Sequence, residues 1–426
     1  MPSTRPEEFD YTGVHEPLLG DDRSVDVQTG SDEALKNDIS PESVIPKVVA
    51  VMICFVSVGI FTGSVGALIP SLETYYNIQD AKVTLILIMS VAGYLIGAAN
   101  LDSIHLLTGR RGVALIAASL HVLGIAILAT KPTYAIALLA YFCCGMGTGC
   151  VDAGFCAWAA NVHHANAVQG SIHGAFSVGC VVGPIIVAAL EKAGLEWNVF
   201  YMVMLGTFSI ELCALPLAFR RDNGPTYRAS RLDETRAKVT LADGKRPIIY
   251  CALFYLCYVG IETSLSTWLV TLMSRSRESS TYVAALTSSM FWGGMAIGRF
   301  TLGPLARAAN LRLIVIVYIL LSLPVQLFFR FSLNGGLSLA LAGGIGFSFG
   351  PMFPAGVLML SSQLPKSLQV RGCSVAASVG QIGGAGAPFL LGLVAQSLGI
   401  ERLLDLVLVM TILLLVIWLR FSRRDE

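Results

Sequence analysis

The chain has 426 residues, of which 54% are hydrophobic and 13% are charged, and its mean hydropathy is +0.69. This composition lies outside the range of ordinary soluble domains. A formal net charge of +1 provides no strongly basic field, which argues against a nucleic-acid partner. The ten cysteines fall inside apolar segments and form no C-x-x-C pair. We therefore predict neither a metal site nor a cofactor.

Residues 1–45 are polar, acidic and aperiodic, which is typical of a disordered tail. The tail has no basic region followed by an apolar core, so it does not resemble a cleavable signal peptide. From residue 46 onward, apolar segments of about 20 residues follow one another, the length that crosses a hydrocarbon core of about 30 Å. We predict twelve transmembrane helices at 46–70, 83–101, 112–130, 134–157, 170–190, 198–219, 248–272, 283–302, 312–330, 337–361, 373–397 and 402–420.

The long polar stretch between these segments is the basic linker 220–247, which separates an N-terminal half (46–219) from a C-terminal half (248–420). By the positive-inside rule this linker is cytoplasmic. Twelve crossings then place the N-terminal tail and the short tail 421–426 on the same side. About 19 Lys and Arg residues lie in loops and span ends assigned to the cytoplasm, against about 7 on the other side.

The two halves repeat each other at an offset of about 200 residues, the internal symmetry that a parallel repeat of two helical bundles leaves in a sequence. The matched motifs are Ser57-Val58-Gly59-Ile60 with Tyr258-Val259-Gly260-Ile261, Gly93-x-x-x-Gly97 with Gly294-x-x-x-Gly298, Gly145-x-Gly147 with Gly344-x-Gly346, and Gly179-x-x-x-Gly183-Pro184 with Gly384-x-Gly386-x-Pro388. We therefore predict an all-α integral membrane protein of two six-helix repeats.

Asp152 is the leading candidate for a functional side chain. It lies inside the apolar segment 134–157, and a charged side chain at the centre of a membrane helix costs about 2.5–3.5 kcal/mol. Thr148 and Cys156 share its helix face at i−4 and i+4. We predict that Asp152, with Thr148 beside it, faces a polar cavity and exchanges protons. The alternative is a protonated structural acid that is bonded to a neighbouring helix.

Glu262 is the second candidate. Tyr255, Tyr258, Glu262 and Ser266 follow a spacing that keeps them near one face of the segment 248–272. Tyrosines beside an acid suit hydroxyl-rich solutes, because the rings stack and the acid accepts hydrogen bonds. The alternative is a helix-packing stripe that contains one buried pair.

Further side chains with polar atoms complete the predicted lining of the cavity. We assign to it Thr62, His173, Ser177, Trp268, Ser378 and Gln381. A lone histidine among apolar residues is about as often a satisfied structural group. His121 and Glu211 lie on the third and sixth segments, which are peripheral in such a bundle, so we expect them to bond to other helices.

Asp102, Arg110, Arg111 and Arg299 fall at the predicted cytoplasmic ends of the second, third and eighth segments. Charge pairs at these ends could hold a gate closed and break when the halves rock. The alternative is that these charges only set the topology.

Four stretches carry a family resemblance: Gly66-Ala67-Leu68-Ile69-Pro70, Gly147-Thr148-Gly149-Cys150-Val151-Asp152, Tyr258-Val259-Gly260-Ile261-Glu262-Thr263 and Gly298-Arg299-Phe300. They resemble the major facilitator superfamily, and in particular its fucose–proton symporter branch and the fungal members of that branch. One departure is Phe61-Thr62, which stands where relatives often carry an Asn–Asp pair. The resemblance implies secondary transport by alternating access, in relatives often of sugars driven by protons.

We therefore predict a secondary active transporter that moves one small organic solute per cycle with protons, and not an enzyme. The solute is a sugar-like polar compound or a fungal metabolite. One alternative is an efflux pump for a secondary metabolite or drug-like compound, which the apolar Phe61, Met352 and Phe353 favour. Another is a solute sensor that does not transport. We expect a monomer in the lipid bilayer with both termini cytoplasmic, in the plasma membrane rather than the vacuolar membrane.

Overall fold

The computed structural model describes residues 41–159, 162, 165–232, 244–308, 310–332, 334–364 and 366–423. Most of the predicted tail 1–45 lies outside these residues. The part of the chain that is described folds into helices and contains no strand. Residues 45–426 form one unit.

The helices match the twelve predicted segments closely. They are span 1 (Pro41–Tyr76), spans 2 and 3 (together Leu85–Ala129), span 4 (Tyr134–Ala159), span 5 (Ala165–Lys192), span 6 (Asn198–Ala218), span 7 (Lys245–Ser276), span 8 (Thr281–Ala308), span 9 (Leu311–Phe331), span 10 (Gly335–Phe349 and Met352–Gln363), span 11 (Lys366–Leu398) and span 12 (Arg402–Phe421). Two short helices, Asp80–Val83 and Gly224–Leu232, lie in connections.

Ten helices of the described residues are long and apolar enough to cross a membrane. One of them, Asp80–Ala129, has 50 residues, which is enough for both span 2 and span 3. Span 8 adds the remaining crossing with 28 residues. The predicted all-α protein with twelve transmembrane helices is therefore confirmed, and the chain is an integral multi-pass membrane protein.

Spans 2 and 3 are separated by a sharp turn at Gly109. Its φ of +71° lies in the left-handed region, which glycine adopts without the steric cost that a Cβ brings. A Cβ at this position would also lie 2.3 Å from the carbonyl oxygen of Asp222. The backbone N–H of Arg111 donates to that same oxygen at 3.0 Å. The turn is thus fastened to the connection that follows span 6.

The repeat is visible in backbone contacts between spans 2 and 4 and between spans 8 and 10. Glycines let the two backbones of each pair approach so closely that a Cβ would lie 1.8–2.4 Å from a carbonyl oxygen. The contacts are Gly145 with Ser90, Gly149 with Tyr94, Gly346 with Phe291, and Gly350 with Met295. Each residue of the contacts between spans 2 and 4 has its counterpart 201 positions later in spans 8 and 10, for example 346 for 145 and 291 for 90. Gly145 therefore corresponds to Gly346, and its predicted match with Gly344 is wrong by two residues.

The bundle has two sides, which we name by their connections. The linker side is where residues 219–244 join span 6 to span 7, and the opposite side is where residues 77–84 join span 1 to span 2. The halves meet along a seam, which we define as the contact of spans 1 and 5 with spans 7 and 8. In this seam a Cβ on Gly66 would lie 2.2 Å from the carbonyl oxygen of Ser266. Ser289 donates to the carbonyl oxygen of Val181 at 2.8 Å.

Candidate substrate and proton site

Asp152 lies on span 4 inside the first half and is half-buried. The hydroxyl of Tyr94, on span 2, donates to one carboxylate oxygen at 2.5 Å. The thiol of Cys156, one turn further along span 4, donates to the other oxygen at 3.4 Å. The close backbone approach of Gly149 to Tyr94 explains this arrangement, because it brings span 2 within reach of the polar face of span 4.

No lysine or arginine among the described residues forms an ion pair with Asp152; its hydrogen-bond partners there are Tyr94 and Cys156. His173 of span 5 comes next in this cluster, with its Nε2 atom 3.9 Å from the sulfur of Cys156. We call Tyr94, Asp152, Cys156 and His173 the Asp152 cluster. Sequence reasoning did not single out Tyr94, because nothing in the sequence of span 2 shows which of its faces meets span 4.

Glu262 belongs to a second cluster, which includes a cation. Arg299 of span 8 donates to the Glu262 carboxylate at 3.3 Å and to the hydroxyl of Ser177, on span 5, at 2.5 Å. The side chains of Glu262 and Arg299 are only 11% and 15% exposed. Tyr258 is fully buried one turn before Glu262. We call Ser177, Glu262 and Arg299 the Arg299 cluster.

Arg299 therefore does not lie where the sequence places it. The apolar segment is predicted to end at 302, so Arg299 was expected near its cytoplasmic end. Span 8 in fact continues to Ala308, and the guanidinium lies inside the bundle against Glu262. A charged side chain that pairs with a buried counter-ion can lie inside the bundle. Hydropathy alone does not detect such a pair, so it places the charge near the end of the helix.

Span 5 links the two clusters. His173 belongs to the Asp152 cluster, and Ser177, one turn later, accepts from Arg299. The hydroxyl of Ser177 also donates to the backbone carbonyl of His173 at 3.0 Å. The ring of His173 lies 6.0 Å from that of Phe353 on span 10, and Phe353 in turn stacks on Tyr255 at 4.6 Å. The structure thus connects both predicted acids through contacts that pass along span 5.

Three predicted site residues bond away from these clusters. Thr148 lies 3.2 Å from His121 of span 3. Ser266 accepts from the indole N–H of Trp292 at 3.0 Å, within the second half. Trp268 is fully buried and donates to the carbonyl oxygen of Pro388 at 3.0 Å, so it packs span 7 against span 11.

Three other predicted residues keep some exposed surface. Thr62 is exposed on span 1, one turn before Gly66, which touches the second half. Ser378 and Gln381 are half-buried on span 11.

Three further side chains pack inside the first half. His121 and Glu211 form a fully buried pair at 3.0 Å, which confirms the expected bond between spans 3 and 6. Phe61 is buried against Tyr141 and Phe208, so it does not form the apolar cavity face assigned to it.

The predicted gate residues of the first half lie on the linker side. Arg110 pairs with Asp222 at 3.7 Å, and Lys47 of span 1 contacts the same carboxylate at 3.4 Å. Asp102 is exposed near the linker-side end of span 2. The contacts of Arg110 and Arg111 with Asp222 fasten the turn between spans 2 and 3 to the connection that follows span 6.

A charge group on the opposite side was not anticipated. Arg275, at the end of span 7, donates to Asp80 at 2.7 Å and to Glu73, at the end of span 1, at 2.5 Å. The internal repeat could have predicted this charge group from the sequence. Spans 1 and 7 are repeat partners, so their ends must reach the same side of the membrane.

A bundle of two six-helix repeats with ionisable side chains where they meet is the architecture of a secondary transporter. The model of the Major Facilitator Superfamily matches residues 51–388. The chain belongs to this superfamily.

Comparison with known proteins finds relatives over most of the chain. It is 26% identical over 410 residues to Bypass of stop codon protein 6 of Saccharomyces cerevisiae, which covers 88% of this chain and 82% of that protein. It is 24% identical over 363 residues to the glucose/mannose transporter GlcP of Bacillus subtilis, which covers 79% of this chain and 85% of that protein.

Two solved structures show the same fold. The D-xylose-proton symporter superposes with a TM-score of 0.73 at 12% identity, covering 89% of this chain and 98% of that one. The Escherichia coli fucose:proton symporter FucP superposes with a TM-score of 0.60 at 16% identity, covering 90% and 100%. The expected resemblance to the fucose–proton symporter is confirmed at the level of the fold.

Proposed function

We propose that the chain moves a small polar organic solute, rich in hydroxyl groups, across the membrane together with protons. The observation that carries this proposal is Asp152, an acid inside the bundle whose partners are a tyrosine hydroxyl and a thiol. Ionisable residues within transmembrane segments mark proton relays and substrate pathways by default. When the halves rock, the surroundings of Asp152 change, and the carboxyl group takes up a proton on one side and releases it on the other.

The Arg299 cluster is proposed to hold the solute. Arg299 balances the charge of Glu262, so a neutral solute needs no further counter-ion. A guanidinium has five N–H donors and a carboxylate has about four acceptor sites, and only part of each set is used within the cluster. Hydroxyl groups donate and accept, so they suit the remaining sites. Thr62, His173, Tyr258, Ser378 and Gln381 are proposed to complete the lining.

Thr148, Ser266 and Trp268 are proposed to act indirectly. Each bonds to a residue outside the clusters, and this bond holds the helix that carries Asp152 or Glu262 in place. Arg110, Arg111 and Asp102 are proposed to keep the linker side of the first half rigid, so that it moves as one body. The linker side is cytoplasmic in this proposal, by the excess of Lys and Arg in its loops.

The experiment is a flux measurement with the purified full chain in proteoliposomes. Radiolabelled glucose, mannose, xylose and fucose are the first probes, because the similar proteins are named for these sugars. We expect an imposed inward proton gradient to drive at least one of them above its equilibrium level, and a protonophore to abolish that accumulation. If the sugars only reach equal concentrations on both sides, with or without the proton gradient, the proposed proton coupling is overturned.

Two other outcomes identify the alternative functions. Proton-driven expulsion of apolar compounds, with none of the sugars moved, would support an efflux pump; the stacked Tyr255 and Phe353 beside His173 are the feature that favours it. Saturable binding of a solute without any counterflow would support a sensor that does not transport.

A further inference from the structure

The ion pairs of Arg275 differ from the others in what they join. Among the ion pairs formed by the described residues, those of Arg275 link the second half to the first. Arg299 pairs within the second half, and Arg110 and Lys47 both pair with Asp222, in the linker just after span 6. On the opposite side Arg330 also binds two acids, Asp405 and Glu401, but all three belong to the second half.

The surroundings of Arg275 close the same side of the bundle. Gln396 of span 11 donates to Gln79, which lies in the connection after span 1. A Cβ on Gly392 would lie 3.3 Å from the carbonyl oxygen of Asp80, so span 11 touches this connection as well. Further into the bundle, Gly66 brings the backbone of span 1 against that of span 7. Ion pairs, a hydrogen bond and close backbone contacts therefore all join the two halves on the opposite side.

We propose that Glu73, Asp80 and Arg275 form a gate, the Arg275 latch, that closes the opposite side and must break in every transport cycle. A guanidinium presents donors in a fixed fork, and here two of its nitrogens each bind a different carboxylate of the other half. Glu73 and Asp80 have side chains that are 9% exposed in the closed state, whereas Arg275 is 44% exposed. Separation of the halves would return both carboxylates to water, so the latch holds only while the halves are in contact.

This gate is distinct from the one predicted from the sequence. The sequence places gate charges on the linker side, but the described ion pair of Arg110 joins it to Asp222, in the linker just after span 6. The latch depends on alternating access, which is the working principle of the superfamily, and it does not depend on proton exchange at Asp152.

The test measures access to the seam from the opposite side. Thr62 is exposed one turn toward the linker side from Gly66, so it lies behind the closed side. The full chain carrying Thr62→Cys is reconstituted, and a membrane-impermeant maleimide is added on the opposite side. Labelling of that cysteine is followed by mass spectrometry, which separates it from the ten native cysteines.

We expect Arg275→Gln to raise the labelling rate about threefold to tenfold, because the open population grows when the closed state loses its ion pairs. Arg330→Gln is the matched control, since it removes an arginine with two acidic partners on the same side but within one half. Its labelling rate should equal that of the parent. The exchange Glu73→Arg with Arg275→Glu keeps the net charge, restores an acid–base pair between the halves and should return labelling toward the parental rate.

Equal labelling in Arg275→Gln and the parent would overturn the latch, as would an equal rise in Arg330→Gln. If Arg275→Gln does not fold, Glu73→Gln and Asp80→Asn each remove one arm and should give smaller increases. Parental rates in both would also overturn it. The readout needs neither a solute nor a proton gradient, so it stands apart from the flux experiment.

Discussion

The two halves of this transporter share a backbone arrangement but not the chemistry at matching positions. With the offset of 201 residues, Asp152 on span 4 corresponds to Phe353 on span 10. Glu262 on span 7 corresponds to Phe61 on span 1 by the same offset. Each half therefore keeps one acid where the other has a phenylalanine. The repeat fixes how the helices pack, and the side chains at equivalent places are free to differ.

The partners of the two acids differ as well. Asp152 bonds to the hydroxyl of Tyr94. The counterpart of Tyr94 is Met295, whose sulfur contacts Arg299, the cation that pairs with Glu262. A carboxylate beside a neutral hydroxyl can gain and lose a proton without leaving a buried cation unpaired. Protonation of Glu262, in contrast, would leave the buried Arg299 without its counter-ion. This difference supports the proposal that the first half exchanges protons and the second half binds the solute with its charges balanced.

The largest effect is expected for Asp152→Asn. The amide keeps the size of the side chain and its bond to Tyr94 but cannot release a proton, so proton-driven accumulation should fall to the equilibrium level. Exchange of solute between the two sides should continue in part. Accumulation and counterflow are measured in the same proteoliposomes.

The matched control is Asp405→Asn, which makes the same change at an acid that pairs with Arg330 on the opposite side. We expect it to accumulate solute as the parent does. Uphill accumulation at the parental level in Asp152→Asn would remove Asp152 from the coupling role and erase the contrast between the halves.

The next effect is expected for Glu262→Gln. It leaves Arg299 buried without its anion, and breaking such a pair from one side costs about 3–5 kcal/mol. The double substitution Glu262→Gln with Arg299→Gln removes the unpaired charge, so it should recover part of that loss while solute binding stays impaired. Thermal unfolding in detergent gives the stability, and solute binding is measured in the same preparations. A double variant less stable than Glu262→Gln would contradict the charge-balanced role.

A smaller effect is expected for Tyr94→Phe. It removes one hydrogen bond to a carboxylate, which is worth about 1.5–3 kcal/mol when one partner is charged. Tyr141→Phe is the control, because it removes the bond between the hydroxyls of Tyr141 and Tyr201 in the same half, with no carboxylate involved. We expect both to lower thermal stability, but only Tyr94→Phe to reduce proton-driven accumulation several-fold. Equal accumulation in the two variants would show that Tyr94 serves packing alone.

Much of the fold could be predicted because apolar length is a local property. The segment 134–157 was predicted and the helix runs over Tyr134–Ala159, and the segment 402–420 is the helix Arg402–Phe421. Boundaries were several residues short in spans 1, 5, 8 and 11, where the helix continues through polar residues beyond the apolar segment. The repeat was also found from sequence, but its register between spans 4 and 10 was two residues off. Only the contacts of Gly145 and Gly346 correct it.

Roles within the clusters were harder to predict. The sequence places Asp152 and Thr148 on one helix face, but the structure bonds Thr148 to His121 and Asp152 to Tyr94. A face of one helix can meet two different neighbours, and spacing along the chain does not say which neighbour meets which part of the face. The pair of His121 and Glu211 was anticipated as an interhelical bond, because a buried charge in a membrane needs a partner.

By itself the sequence determined that this protein crosses the membrane twelve times in two repeats and carries acids at Asp152 and Glu262. Hydropathy and internal repeats are properties of the order of residues along the chain, so no tertiary contact is needed to find them. Only the tertiary structure decided their partners: Tyr94 for Asp152, and Arg299 for Glu262. It also paired Arg275 with Glu73 at the end of the first span. These pairs join residues that lie between 37 and 202 positions apart. Their contact depends on how each helix is rotated against its neighbours, and close packing of whole helices sets that rotation.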